Sequence, residues 1–381
     1  MLNKIIAFLK KETVLSAAWI LALVSAFLVP PSKEYFSYID FNSLFLLFCL
    51  MTVMASFKKL GVFESCSEFL LGKFKTTSAI LFILVFLPFF FSMVITNDVA
   101  LIVFVPLAIT TLKMCGLENL VLMTVVLQTL AANLGSMSLP MGNPQNLYLY
   151  SISGISIVKF ISIMIPYTAT SFVLLLLSIV FVKIKNRNAI IGNINTGCNS
   201  EQEKTETKNS RTRWTINFIC FALCILCVGK LIPFKILFPV IFIIYFFADR
   251  KILKDVDYSL LLTFVGFFIF TGNIKNMEGI SSVIAGALKG HEAGFSIGAS
   301  QIISNVPAAL LLSGFTENYK GLLIGTNLGG LGTLIASMAS LISFKQIAKS
   351  YHEQRGKYFL LFTIMNLVFL AILWAFHLIL A

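Results

Sequence analysis

The chain reads as an all-α polytopic membrane protein with two inverted-topology repeats, each carrying a re-entrant hairpin and a broken transmembrane helix. Three observations predict this. Of its 381 residues 58% are hydrophobic and 12% charged, with mean hydropathy +0.91, too apolar for an ordinary soluble surface. Polar breaks interrupt long apolar runs twice: Thr96-Asn97-Asp98 then NLGSMSLPMGNPQN (Asn133 to Asn146), and later Ser304-Asn305-Val306-Pro307 then NLGGLG (Asn327 to Gly332). One plainly soluble stretch, residues 185–213, divides the chain and reads as a flexible cytoplasmic linker. The expected organisation is therefore a repeat over 1–184, the linker over 185–213 and a second repeat over 214–381.

Spans of about 20 residues suit the hydrocarbon core. In order they are 14–29, 41–57, a hairpin within 78–112, a broken helix over 120–150, and 157–182. The second half, traced in the same way, has one span more: 214–231, 236–247, 260–272, a hairpin with Ser304-Asn305 at its tip, a broken helix over 322–344, and 359–380. The segment around Val14 to Val29 is taken as the first span because Pro30-Pro31 follows it and no small-residue cleavage pattern does.

Charge sets the orientation. With the linker in the cytoplasm, 22 Lys/Arg fall on that side and 7 on the other, out of 29. Lys73, Lys75 and Lys113 flank both ends of the first hairpin, which is expected to enter and leave from the cytoplasm with its turn enclosed by protein. The second hairpin starts and ends outside. Ile39-Asp40-Phe41 and Val256-Asp257-Tyr258 open similar spans that run in opposite senses, the mark of an inverted repeat. The N-terminus is then expected in the cytoplasm and the C-terminus outside.

In so apolar a chain the net charge of +12 belongs to cytoplasmic loops and does not imply nucleic acid. The cysteines sit mostly in apolar runs without the clustered Cys/His pattern of a zinc site, and neither HExxH nor GxxxxGK[ST] occurs. No nucleophile and base set stands out, so an enzyme is not expected. No bound cofactor is expected either.

The breaks carry the chemistry. Asn143-Pro144 has the form of a helix cap followed by the first helical residue, which aims a positive helix end and bare N–H groups at a cavity and suits an anion. Asn305, with Pro307 after it, reads as the same device at the second hairpin. Carbonyls exposed at Gly142 and Gly329, with the Asn97, Asn133, Asn305 and Asn327 side chains, are suitable ligands for Na+. Asp98 is the one acid of seventeen placed deep in the membrane, either capping a helix or carrying the coupling cation. The expected substrate-binding set is Asn97, Asn143, Pro144, Asn305 and Thr326. The cation set is Asp98, Asn97, Asn133, Gly142, Asn305, Asn327 and Gly329.

ITNDVALIVFVPLAI, NLGSMSLPMGNPQN, SQIISNVPAALLLSGFT and NLGGLGTLIASMASLISFK resemble the signature segments of the ion transporter superfamily. That superfamily includes divalent anion:sodium symporters, citrate transporters, arsenical pump membrane proteins and sodium/proton antiporters. The likeness covers essentially the whole chain and extends to the small bacterial citrate-transporter-like, anion permease branch, which implies a bacterial cytoplasmic membrane location. It implies a secondary active transporter of a small anion, a di- or tricarboxylate or an inorganic oxyanion, coupled to Na+ or H+ by alternating access. The bilayer and the anion are the expected partners, and a homodimer is compatible with this. The symporters' Ser-Asn-Thr hairpin tips match at Asn97 and Asn305, whereas the third position is Asp98 or Val306. The Asn-Asp pair resembles the arsenical pump branch, which keeps proton coupling, arsenite efflux or sodium/proton antiport as alternatives.

Overall fold

A computed structural model describes residues 12–62, 76–185 and 209–380, and among these the chain is helical with no strand. In chain order the helices are α1 (Thr13–Leu28), α2 (Tyr35–Tyr38), α3 (Phe41–Lys59), α4 (Thr77–Ile95), α5 (Asn97–Met114), α6 (Val121–Ser136), α7 (Pro144–Ser153), α8 (Ile157–Lys185) and α9 (Asn209–Val228). They continue with α10 (Phe234–Ala248), α11 (Arg250–Lys254), α12 (Tyr258–Lys275), α13 (Glu278–Leu288), α14 (Glu292–Ile303), α15 (Asn305–Leu312), α16 (Tyr319–Gly329), α17 (Met338–Ser350) and α18 (Arg355–Leu380). Seven helical stretches among the described residues are long and apolar enough to cross a bilayer. The chain is an all-α multi-pass membrane protein. Most of the expected linker lies outside the described residues, although α9 already begins at Asn209, within it.

Polar residues set several helix starts. Thr76 Oγ1 accepts from the Ala79 N–H to open α4, Asp257 from Leu260 to open α12, and Asn318 from Gly321 to open α16. The two helix pairs at the expected hairpins differ in size. α4 and α5 have 19 and 18 residues, so at 1.5 Å per residue each is about 28 Å long and could cross by itself. α14 and α15 have 12 and 8 residues and are too short for that.

The chain divides into two compact units, each assembled from separate segments. The first comprises residues up to Thr52, Pro144–Ser156 and Cys224–Gly330; the second comprises Val53–Asn143, Ile157–Leu223 and Leu331 onward. The division falls at both breaks, so α6 and α7 belong to different units, as do α16 and α17.

In the first unit α1 and α12 run side by side in the same direction. Ser259 donates to Glu12 at one end, Trp19 Nε1 to the Leu262 carbonyl further along, and Asn273 Nδ2 to Ser25 and Tyr35 near the other. α14 packs on α16 through Gly321, Gly325 and Gly329, one per turn on one face. A Cβ on Gly325 would stand 2.4 Å from the Ala293 carbonyl oxygen, and one on Gly329 would stand 2.5 Å from Ser300 Oγ. Only glycine permits this approach.

In the second unit α4 and α5 fold back on each other, with Phe91 and Phe104 rings 5.3 Å apart. α6 packs against both. A Cβ on Gly135 would fall 2.1 Å from the Phe89 carbonyl oxygen. Gln128, fully buried in α6, donates through Nε2 to the Leu84 carbonyl at 2.8 Å and the Phe104 carbonyl at 3.2 Å. Pro88 has no N–H to offer Leu84 one turn back, so Gln128 supplies the donor that proline removed.

Candidate functional site

Each unit holds a buried asparagine cluster at helix starts. In the second unit α4 ends and α5 begins around Thr96, whose backbone sits at φ 73°, ψ 146°. That region is strained for any residue with a Cβ and worst for a β-branched one, at about 1–3 kcal/mol. Asn97, the first residue of α5, is 4% exposed. Its Nδ2 donates to Asn133 Oδ1 at 3.0 Å, and its Oδ1 accepts from the Asp98 N–H at 3.0 Å. Asn133 Oδ1 also accepts from Ser337 Oγ at 3.1 Å, and Ser337 immediately precedes α17. One asparagine of α6 thus joins the N-terminal ends of α5 and α17. Its own Nδ2 is buried with no partner.

The remainder of the first break folds onto this cluster. Asn143 Nδ2 donates to Ser136 Oγ at 3.2 Å, and a Cβ on Gly142 would lie 2.0 Å from the Ser136 carbonyl oxygen. Asn143 is extended and α7 opens at Pro144, as the sequence pattern predicts. Asp98 is half-buried beside Asn97.

In the first unit the matching turn is Ser304, at φ 75°, ψ 154°. Asn305 is the first residue of α15, so the capping position expected of it falls to Ser304, whose side chain makes no cap hydrogen bond. Asn305 Nδ2 would stand 2.9 Å from a Cβ on Gly330. Asn327 Nδ2 donates to Asn146 Oδ1 at 2.6 Å and to the Leu323 carbonyl at 2.8 Å, tying α16 to the first turn of α7.

Two expected site residues are engaged elsewhere. Thr326 Oγ1 donates to the Leu322 carbonyl of its own helix at 2.8 Å. The Gly329 carbonyl accepts from Gln301 Nε2 at 3.0 Å, and Gly329 lacks a side chain because α14 passes there.

Sequence reasoning missed Glu292. Among the described residues it is the one buried acid, 5% exposed, at the start of α14. It accepts from Thr316 Oγ1 at 3.2 Å and Asn318 Nδ2 at 3.0 Å, closing the base of the α14–α15 pair onto the start of α16. Burial opposes its charge. Donors from its own backbone N–H, Asn318, Gly290 and Thr316 outweigh that and hold its carboxyl below the usual carboxylate range. Its neighbours Lys289, Gly290 and His291 make it look like a surface flank in sequence. No Lys or Arg is buried among the described residues, so the clusters hold no fixed cationic side chain.

The chain is 31% identical over 351 residues to an uncharacterized transporter of Methanocaldococcus jannaschii, covering 90% of this chain and 91% of that one. It is 29% identical over 326 residues to the inner membrane protein YbiR of Escherichia coli, covering 84% of each. A Dictyostelium discoideum protein bearing the transporter name arsB is 28% identical over 160 residues, 41% of this chain and 28% of that one. Residues 5–318 match the citrate transporter family, which takes in both helix pairs and the first break. This multi-pass chain, a transporter and not an enzyme, belongs to the citrate transporter family.

Proposed function

We propose that the chain is a secondary active transporter that moves a small anion, a di- or tricarboxylate or an inorganic oxyanion, coupled to Na+ or H+ by alternating access. One observation carries this reading. In the second unit the starts of α5 and α17 meet at Asn133, whose buried Nδ2 has hydrogens to donate and no protein acceptor. The positive ends of helix dipoles favour an anion, and without a buried Lys or Arg the remaining charge compensation falls to a co-bound cation. Asn97, Asn133 and Asn143 form the binding set in that unit, with Asp98 beside them for the cation. Asn305 and Asn327 are the corresponding residues of the first unit. The matching strained turns at Thr96 and Ser304 support an inverted repeat, the short α14 and α15 support a re-entrant hairpin in the second half, and the name of the E. coli relative supports a bacterial inner-membrane location.

A second reading, arsenite efflux or sodium/proton antiport, is favoured by the acid that follows Asn97 and by the arsB name of one relative. A thermal-shift screen against citrate, succinate, sulfate, phosphate and arsenite, each with and without Na+, separates the two. An anion whose stabilisation grows with Na+ or with falling pH supports the first, and arsenite alone supports the second. Asp98→Asn then tests coupling in proteoliposomes. Loss of gradient-driven accumulation with exchange retained assigns Asp98 to the proton. Weakened Na+ dependence assigns it to Na+. Unchanged accumulation and ion dependence remove Asp98 from the site.

A further inference from the structure

The second unit contains a line of buried hydroxyl groups for which the asparagine cluster has no need. α6 and α17 run antiparallel and are joined by two rungs. Ser337 Oγ donates to Asn133 Oδ1 at 3.1 Å, and Thr129 Oγ1 donates to Ser343 Oγ at 2.8 Å. Thr129 and Asn133 lie one turn apart on α6, about 6 Å along its axis. Ser340 lies between the rungs on α17, fully buried, and its Oγ has no partner. Beyond the lower rung stands Tyr358 of α18, also fully buried. Its hydroxyl lies beside Thr129 and Ser343 but makes a well-formed hydrogen bond to neither. Just before Tyr358 the chain is exposed and charged, from His352 to Lys357.

Asn133 Nδ2, Ser340 Oγ and Tyr358 OH are therefore three unsatisfied polar atoms on three adjoining helices, with paired hydroxyls between them. A dry seam would forfeit at each a hydrogen bond that water offers. The groups are all neutral, and its hydroxyls can both donate and accept, so the seam suits neither a bare anion nor a bare cation. It suits water, which both donates and accepts and is held in such sites by two to four polar partners. We infer that the seam between α6, α17 and α18 holds a file of ordered waters running from the Tyr358 end to the amide of Asn133. Its further role, keeping solvent at the Asn97–Asn133 cluster while the unit stays closed, rests on the transport reading given above; the waters themselves do not.

Hydroxyl-radical labelling by a synchrotron X-ray pulse generates radicals from water in place, so a buried tyrosine is oxidised only where water is bound beside it. In the full-length protein in detergent, Tyr358 is expected to gain oxygen several-fold faster than Tyr245, a tyrosine of the first unit that is 2% exposed. Ser340→Val should bring the Tyr358 rate down towards that of Tyr245. Equal rates for the two tyrosines in the wild type would overturn the inference, and that comparison stands even if the variant does not fold. A Tyr358 rate unchanged by Ser340→Val would overturn it as well. So would a raised Tm for Ser340→Ala, the response of a dry, unsatisfied hydroxyl on removal. None of these measurements involves an anion, so a failure of transport would be told apart from a failure of the water file.

Discussion

In the second unit Asn133 accepts from Asn97 and Ser337 and leaves its own amide hydrogens unused, whereas in the first unit Asn327 donates both to Asn146 and to the Leu323 carbonyl. The two sit in the same Asn-Leu-Gly context, each follows a strained turn, and each reaches a helix that begins after the other half's break. The surroundings differ as well. α14 and α16 approach over three glycines and are closed at the base by Glu292, while α4 and α6 approach at Gly135 and are braced by Gln128. A shared motif therefore fixes position without fixing availability. One asparagine is a crosslink, and the other keeps a donor in reserve.

The largest effects should be common to both units and so test the shared plan. Gly325→Val and Gly135→Val each place carbon far inside van der Waals contact of a carbonyl oxygen, and each should cost about 3 kcal/mol or more, seen as loss of folded protein on size-exclusion chromatography. Gly298→Ala, where the added methyl meets nothing, should be tolerated. Equal tolerance of all three would remove the close helix approach from the account.

The next effect should separate the units. Asn327→Ala breaks two donated hydrogen bonds and leaves the Asn146 carbonyl oxygen short of a donor, for about 2 kcal/mol, while Asn133→Ala should cost less because it also removes an unsatisfied group. Uptake should fall in both. A larger Tm loss for Asn133→Ala would reverse the assignment of crosslink and reserve.

Glu292 sharpens the comparison through pH. Its carboxyl is depressed in the folded state, so its contribution is complete above the unfolded value of about 4.3 and is lost as pH falls through the folded value. Glu292→Gln should therefore lower Tm at pH 7, and the gap from wild type should narrow below pH of about 4. A gap that stays constant with pH would mean the clamp does not depend on charge. The smallest effect concerns the turns. Thr96→Gly and Ser304→Gly relieve the positive φ against added unfolded-chain entropy, a net gain of up to about 1 kcal/mol and a slightly raised Tm. A fall in Tm for either would show that its backbone is not strained.

Much of this was legible because polar residues inside apolar runs are conspicuous. Asn97 marked the turn between α4 and α5, Asn143-Pro144 the start of α7, and Asn327 the end of α16. What remained hidden depends on partners far apart in sequence or on backbone geometry. Nothing in the string pairs Asn146 with Asn327, 181 residues away, or Ser337 with Asn133. Composition does not reveal that the Thr326 hydroxyl donates back to its own helix. Thr96 and Ser304 are ordinary residues whose torsions alone set them apart. The spacing of Gly321, Gly325 and Gly329 went unremarked in the sequence because its meaning requires α14 across from them.

The interleaving of segments also has a consequence for how the chain is made. Ser337 lies 204 residues after Asn133, and at about 5–20 residues per second a ribosome needs about 10–40 s to deliver it. Throughout that interval α4, α5 and α6 exist with Asn133 lacking its hydroxyl donor and with the place of α17 unfilled. The first unit waits too, since α7 emerges long before α16. During synthesis the bilayer therefore holds half-built polar clusters that only the last quarter of the chain completes. A truncation upstream of Ser337 should consequently be cleared by membrane quality control, even though it contains nearly every signature segment.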